Sequence, residues 1–474
     1  MLRSLIAILI FTGCSREFQI SRPPREGGFV EQLDGTPKDT GFDGLRPVDP
    51  DSPDYSTLGT RFALGFMESA SPFDAPPARF EVWIESQVAT RAEIVGQASG
   101  FRLQALVNPG ITVVPLPKTQ LEPVASGFVF PLGLELLTDD PVNAIAFHHR
   151  EGFTESTRLL PITELGVTHR VMAVPDDLGE SPSSFVVVAT ENDTNVTITP
   201  TVATADLRPP TAPFSTTLQA GELIQVQAEG DLSGTTVNAD QRVAVFSGGV
   251  DPSIDCEGAN HTWEQVPPLS RWATDWLVAP WPEQPYQYVL LQAAEPGTVV
   301  TLDCEPVATL ALAGDTARVQ LDQPGRIRAN RPILVQQLSI GGSCGRDKDD
   351  TPFGDPNLWL AARTLLTRDR MFARPAEDPS FGAAPPTELR RDALITARTL
   401  GTKLDILPTP DAATLFKVED LIVDTSNIDR LAVVEGEDLR GFMYGVTEYN
   451  AYAFDIGADC EGCAANLATP ATCD

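Results

Sequence analysis

The chain has 474 residues, with 65 acidic against 34 basic side chains and a formal net charge of −31 at pH 7. Such an excess disfavours nucleic acid and anionic lipid surfaces as partners and favours solubility. The length suffices for several separate cores, and 41 prolines with 36 glycines fit turn-dense β structure.

At the N-terminus, Arg3 precedes an unbroken apolar run from Leu5 to Phe11. That is a short export signal, since a spanning helix needs ~20 apolar residues. Phe11-Thr-Gly-Cys14 resembles the bacterial lipobox. The resemblance implies that 1–13 is a removed signal peptide and that the Cys14 thiol carries lipid. With Ser15 and Arg16 rather than an acid after the cysteine, it implies sorting to the outer membrane of a Gram-negative cell. No later run is long and apolar enough to span a bilayer, so lipid alone would hold the chain. Residues 14–57 alternate prolines, glycines and aspartates without apolar periodicity, which predicts a disordered tether with a span of roughly 35–40 Å.

Six cysteines remain after Cys14: Cys256, Cys304 and Cys344 in the body, and Cys460, Cys463 and Cys473 in the last residues. In an exported chain they read as three disulfides. An odd number of bridges must then join the two groups, which predicts a tail, 456–474, stapled back to the body. A zinc site at Cys460-Glu-Gly-Cys463 is the alternative, but further ligands for it are missing.

Between these ends one pattern returns four times. Its start is Thr60-Arg-Phe-Ala-Leu-Gly-Phe66, then Thr168 to Val174, Thr274 to Pro280 and Arg368 to Arg374. Two apolar β-runs around a short polar turn follow, as in Phe80 to Ile94, Phe185 to Ile198, Tyr288 to Leu302 and Ala393 to Ile406. Next comes an Ala-Gly-acid turn, Ala220-Gly-Glu222 or Ala313-Gly-Asp315. A strand such as Asn238 to Phe246 closes each unit. Short runs rich in Val, Thr and Ile, split by Gly, Asp and Pro, predict an all-β fold. The expected architecture is tandem β-sandwich-like repeats, about four units of roughly 100 residues: 58–165, 166–270, 271–365 and 366–455. Pro161 and the pair Pro267-Pro268 precede the second and third units as rigid joints. A β-propeller-like arrangement is the alternative, with each unit equivalent to two blades.

The stretch from Ser184 to Pro282 resembles the N-terminal domain of IgG Fc-binding proteins, which also occurs in secreted and lipid-anchored proteins of myxobacterial type. Phe185-Val-Val-Val-Ala-Thr-Glu-Asn-Asp-Thr-Asn-Val-Thr-Ile-Thr-Pro200, Gly221-Glu222, Asp231-Leu-Ser-Gly-Thr-Thr-Val237 and Val243-Ala-Val-Phe-Ser-Gly248 carry it. His261-Thr-Trp-Glu-Gln-Val-Pro-Pro268, Trp272 and Gly354-Asp-Pro356 complete the match. The likeness extends over about 58–455. Family members tend to carry a cysteine soon after the Phe-Ser-Gly strand, where this chain has Val250, so the partner of Cys256 stays open. The resemblance implies a non-enzymatic, extracellular, β-rich binding or matrix protein.

Motifs for catalysis are missing from the sequence. Four histidines show no metal-ligand spacing, and neither a nucleophile elbow nor a phosphate-binding loop occurs. The best polar cluster is His261 with Glu264 and Asp255 beside Trp263. Trp263, Trp272, Trp276 and Trp281 form an aromatic group that is core if buried and a ligand platform if exposed. Asp347, Asp349, Asp350 and Asp355 form an acidic loop that reads first as solvated, with calcium as the alternative; no other cofactor is expected. These readings point to cell-surface recognition or adhesion with a protein or glycan partner. A periplasmic structural spacer and a hydrolase with hidden paired carboxylates are the alternatives, the latter requiring two carboxylates in a cleft.

Overall fold

The computed structural model describes residues 55–70, 78–117, 121–150, 153–281, 284–344 and 355–363, together with several strands beyond them. Its strands in chain order are β1 (Tyr55–Ser56), β2 (Gly59–Leu64), β3 (Arg79–Ser86), β4 (Thr90–Gly96), β5 (Phe101–Val107) and β6 (Gly110–Pro115). There follow β7 (Val129–Phe130), β8 (Leu134–Arg150), β9 (Phe153–Leu159), β10 (Gly166–Arg170), β11 (Ser183–Ala189) and β12 (Thr194–Thr199). The next are β13 (Phe214–Leu218), β14 (Leu223–Ala228), β15 (Thr236–Gly249), β16 (Thr262–Val266), β17 (Ala273–Val278) and β18 (Gln287–Ala293). The last labelled here are β19 (Thr298–Leu302), β20 (Glu305–Leu310), β21 (Thr316–Leu321), β22 (Gly325–Leu338), β23 (Leu358–Leu360) and β24 (Ala362–Arg363).

The protein is all-β, and one antiparallel plan recurs. In the first unit the long strand β8 pairs with β2 and β4 over its first half and with β3 and β9 over its second. β5 extends the first half-sheet and β6 the second. β15 does the same with β10 and β12, then β11 and β16; β22 does it with β17 and β19, then β18 and β23. Each unit is thus a sandwich-like pair of half-sheets sharing one long strand. The two apolar runs on either side of the polar turn, β11 and β12 for example, do not bond to each other. The turn instead carries the chain from one half-sheet to the other.

The long strands show why one pattern serves both halves. In β15 the first half alternates in burial, whereas Val243 to Gly249 is buried on both faces. Alternation marks a half-sheet with one wet face, and a continuous apolar run marks one covered on both sides. Phe185, Val187, Val243 and Val245 enter the core shared with the third unit. Their neighbours Val186, Val188, Ala244 and Phe246 enter the core shared with the first. Period-two geometry thus sends successive side chains into two different cores, and the units pack as one continuous body along this seam.

The Ala-Gly-acid turns have a shared chemistry. Gly221 and Gly314 have φ of +79° and +92°, a backbone region open to glycine but strained for other residues. The following acid caps its own turn: Gln219 N donates to Glu222 Oε2 at 2.8 Å, and Leu312 N donates to Asp315 Oδ2 at 2.8 Å. Each turn abuts the preceding unit, since a Cβ on Gly221 would lie 3.1 Å from the Gln97 and Ala98 nitrogens.

The proline joints are single 3-10 turns, Ile162–Glu164 after Pro161 and Leu269–Arg271 after Pro268. Arg271 Nε meets Glu164 Oε2 at 2.9 Å with both side chains buried, so the two joints are ion-paired to each other. Beyond β24, Arg391–Thr399 pairs with Leu421–Asn427 and Arg440–Val446, and Ala451–Asp455 flanks the latter. This repeats the order of the second half-sheets. The closing strands adjoin in sequence: β9 lies beside β16, β16 beside β23, β23 beside Ala451–Asp455, and that strand beside β9. They form a closed circuit, a propeller-like feature, and β1 pairs with Asp459–Cys460. The signal and lipidation positions, with Cys14, and the expected tether up to residue 54 lie outside the described residues, whereas the last three tether residues are ordered: Tyr55–Ser56 is β1, and Thr57 is buried and donates to Asn143 Oδ1 at 2.9 Å.

Candidate functional site

Of the residues picked from sequence as a binding cluster, all but Asp255 are interior. Trp263, Trp272, Trp276 and Trp281 are at most 1% exposed, so the aromatic group is core and not a ligand platform. Trp263 is stacked between Phe66 and Phe246, with centroids at 5.0 and 5.5 Å. His261 is fully buried; its Nδ1 lies 2.9 Å from Gly249 O, and its ring meets His148 edge-on at 4.9 Å. Desolvation, then the neighbouring His148 charge, depresses its pKa to about 3. Glu264 is also buried, beside Glu155 on the closing strand β9. Trp263 and Glu264 lie on the closing strand β16, and all of these residues are buried.

Paired carboxylates occur, but in the interior. Burial, with Glu264 nearby, raises the Glu155 pKa well above that of an ordinary glutamate, while Glu155 accepts from Leu358 N at 3.3 Å across units. A hydrolase would need such a pair lining a cleft. Asp355 is buried, its pKa raised by desolvation, and the Gly342 amide bonds it. Asp347, Asp349 and Asp350 lie outside the described residues. Among the described residues no group of three or more His, Cys, Asp or Glu could hold a metal ion.

A partly open polar site lies where the second and third units meet. The sequence pointed only to Asp255 there. Cys256 and Cys344 form a disulfide with Cα atoms 5.8 Å apart, which settles the partner of Cys256. Cys304 is also disulfide-bonded. Next to the first bridge, Asp255 has φ of +58° and accepts from Tyr288 Oη at 2.5 Å and Tyr286 Oη at 3.0 Å. Arg318 donates from Nη1 and Nη2 to the two oxygens of Asp177 at 2.8 and 3.1 Å, and lies 3.8 Å above the Tyr288 ring. The guanidinium thereby satisfies its charge twice, by a bidentate carboxylate and an aromatic face.

Beneath it is a cavity of about 80 Å³ lined by Met172, Pro175, Leu290, Thr316, Arg318 and Leu338, among others. That space suits a side-chain tip or a few waters, at ~30 Å³ each. Desolvation and the Asp255 bond push the Tyr288 pKa up to about 12, so its phenol stays protonated at neutral pH. Arg318 cannot act as a base. The site can grip and hydrogen-bond, with both of its carboxylates engaged, Asp177 by Arg318 and Asp255 by two phenols. Arg318, Tyr288 and Asp177 gave no signal in the sequence, because β21, β18 and the loop after β10 bring them together only in the fold.

The described units thus share an all-β plan of repeated half-sheets, with a charge-compensated polar seam between the second and third. The family model described as "IgGFc binding protein" matches residues 155–418, more than half of the chain, and the chain belongs to that family. The human IgGFc-binding protein is 28% identical over 198 residues, which are 41% of this chain and 4% of the human one. The chain thus spans about 4% of the length of that relative. A Streptomyces avermitilis alpha-L-rhamnosidase structure aligns over 85% of this chain and 56% of its own, at 9% identity and a TM-score of 0.12. That score is too low to carry any argument.

Proposed function

We propose that the chain is a non-catalytic recognition protein, displayed outside the cell on lipid attached at Cys14, whose partner is a protein or a surface glycan. The observation that carries this reading is the family match over 155–418. Three features support it. The seam around Arg318 is charge-compensated, with Asp177 bound by Arg318 and Asp255 by two phenols. The Glu155–Glu264 pair is enclosed. The acidic composition disfavours nucleic acid and anionic lipid. Calcium at the acidic loop of Asp347, Asp349, Asp350 and Asp355 belongs to the proposal, tested by isothermal titration of the chelator-treated protein.

Protease shaving of intact cells, followed with an antibody to the folded part, tests the location. Release within 15–57 without lysis is expected, and full protection until the outer membrane is opened would favour a periplasmic spacer instead. Binding is read on a panel of immunoglobulin Fc fragments and purified surface polysaccharides. A chain outside the cell that binds neither class leaves the matrix role as the better account.

A further inference from the structure

The repeat plan is broken by long connections at four places. Two of them, 250–261 and 339–357, replace the short link between β8 and β9 and are bridged by Cys256–Cys344. The other two come from different units. Residues 116–133 stand where the later units have 229–235 and 322–324, and residues 200–213 stand where the others have 97–100 and 303–304. These two meet at one edge. Gly127 N donates to Gln225 O at 2.7 Å, Gln227 N to Ser126 Oγ at 3.0 Å and Ala205 N to Gln227 O at 2.7 Å. A Cβ on Gly127 would fall 2.1 Å from Asp206 Oδ2, so the two excursions touch directly.

Where they meet they expose apolar side chains. Val124 is 58%, Phe128 62% and Leu207 90% exposed. Leu207 also has φ of +66°, a conformation that bulky residues avoid. Its loop is not loose. Thr204 Oγ1 donates to Asp206 Oδ1 at 2.5 Å, Arg208 Nε donates to Asp206 Oδ2 at 2.6 Å, and the Arg208 guanidinium covers Phe214 at 3.7 Å. A leucine held rigidly in a strained backbone, with almost all of its surface in water, gains nothing for the fold. Strain of this kind, and large apolar side chains left exposed where two excursions meet, both mark functional surface.

We infer that Leu207, Phe128 and Val124 form the docking surface for a protein partner that offers an apolar cleft bordered by lysine or arginine. The inference deepens the recognition reading and rests on it. Charge selects the partner: Arg208 is engaged by Asp206, and the chain carries a net charge of −31. An anionic membrane or a second copy of the chain would be repelled, whereas a basic rim would be attracted.

The test pans a display library of random dodecapeptides against the full chain and against the double variant Leu207→Asp, Phe128→Asp. Leu312→Asp, at another exposed leucine, is the control. Expected are enriched peptides combining apolar and basic residues, with binding to the double variant weakened about tenfold or more and binding to the control unchanged. The double variant should melt no lower than the parent. Peptides that bind the double variant as tightly as the parent overturn the docking surface and leave the recognition reading standing. No enrichment over an equally acidic control protein also overturns the surface, while recognition is judged separately on the Fc and polysaccharide panel. A parent that sediments as a dimer while the double variant is monomeric overturns the assignment in favour of self-association.

Discussion

The bridged excursions at the seam and the apolar excursions around Leu207 are both departures from one repeat, yet they spend their residues in opposite ways. At the seam beside Cys256–Cys344 the charges are paired: Arg318 with Asp177 and Tyr288, Asp255 with two phenols. Around Leu207 the charges are matched as well, but the large apolar groups are left in water. A surface that stabilises the fold buries its carbon and pairs its charge, whereas a surface kept for a partner withholds the carbon. Connections of similar length in one fold can therefore be told apart by what they leave unburied.

The sharpest way to break this comparison is at the bridge. Replacing both Cys256 and Cys344 by serine frees a loop with a sequence separation of 88 and should cost about 4 kcal/mol in denaturant unfolding. A loss below ~1 kcal/mol would mean that the seam is held by Arg318 alone. The next effect is an acid sensitivity at His261, where the seam excursion ends. Its folded pKa of about 3 lies below the unfolded value of 6.5, so its stabilisation is complete above pH 6.5 and is lost as pH falls toward 3. Between pH 6.5 and 4.5 the loss should be on the order of 2–3 kcal/mol. Glu155 and Asp355, with raised pKa values, pull the opposite way. The difference between the parent and His261→Gln across that window isolates the histidine, and two parallel stability curves would refute the assignment.

Arg318→Ala removes a partly exposed clasp and should cost about 1 kcal/mol after solvent screening. Raised salt should weaken the parent but not the variant. The smallest effect carries the opposite sign. Leu207→Gly relieves a left-handed backbone and should leave stability unchanged or raise it by up to ~1 kcal/mol. A clear fall in melting temperature would place Leu207 with the residues that hold the fold.

The units were legible because their signals are local. Strand alternation, Ala-Gly-acid turns and prolines before joints each act within a few residues, and the structure gives each a hydrogen bond or a φ value. The tryptophans gave no such information, since Trp263 and Trp276 become core only because neighbouring units cover them. Cys344 as the partner of Cys256, and Arg318 over Tyr288, depend on chain segments far apart in sequence. Ala205-Asp-Leu-Arg-Pro-Pro210 reads as an ordinary polar turn. Nothing in those letters says that Leu207 is fixed at positive φ or that Phe128 arrives beside it from another unit.

The circuit of closing strands has a temporal consequence. β9 is made early but needs Ala451–Asp455 as its neighbour, and β1 needs Asp459–Cys460. Contacts so distant along the chain form last and slowly. A nascent chain emerging from its N-terminus would present the flank of its first unit uncovered until the final strand arrived. A shield over the flank of β9 in the interval would guard an edge that the finished circuit hides.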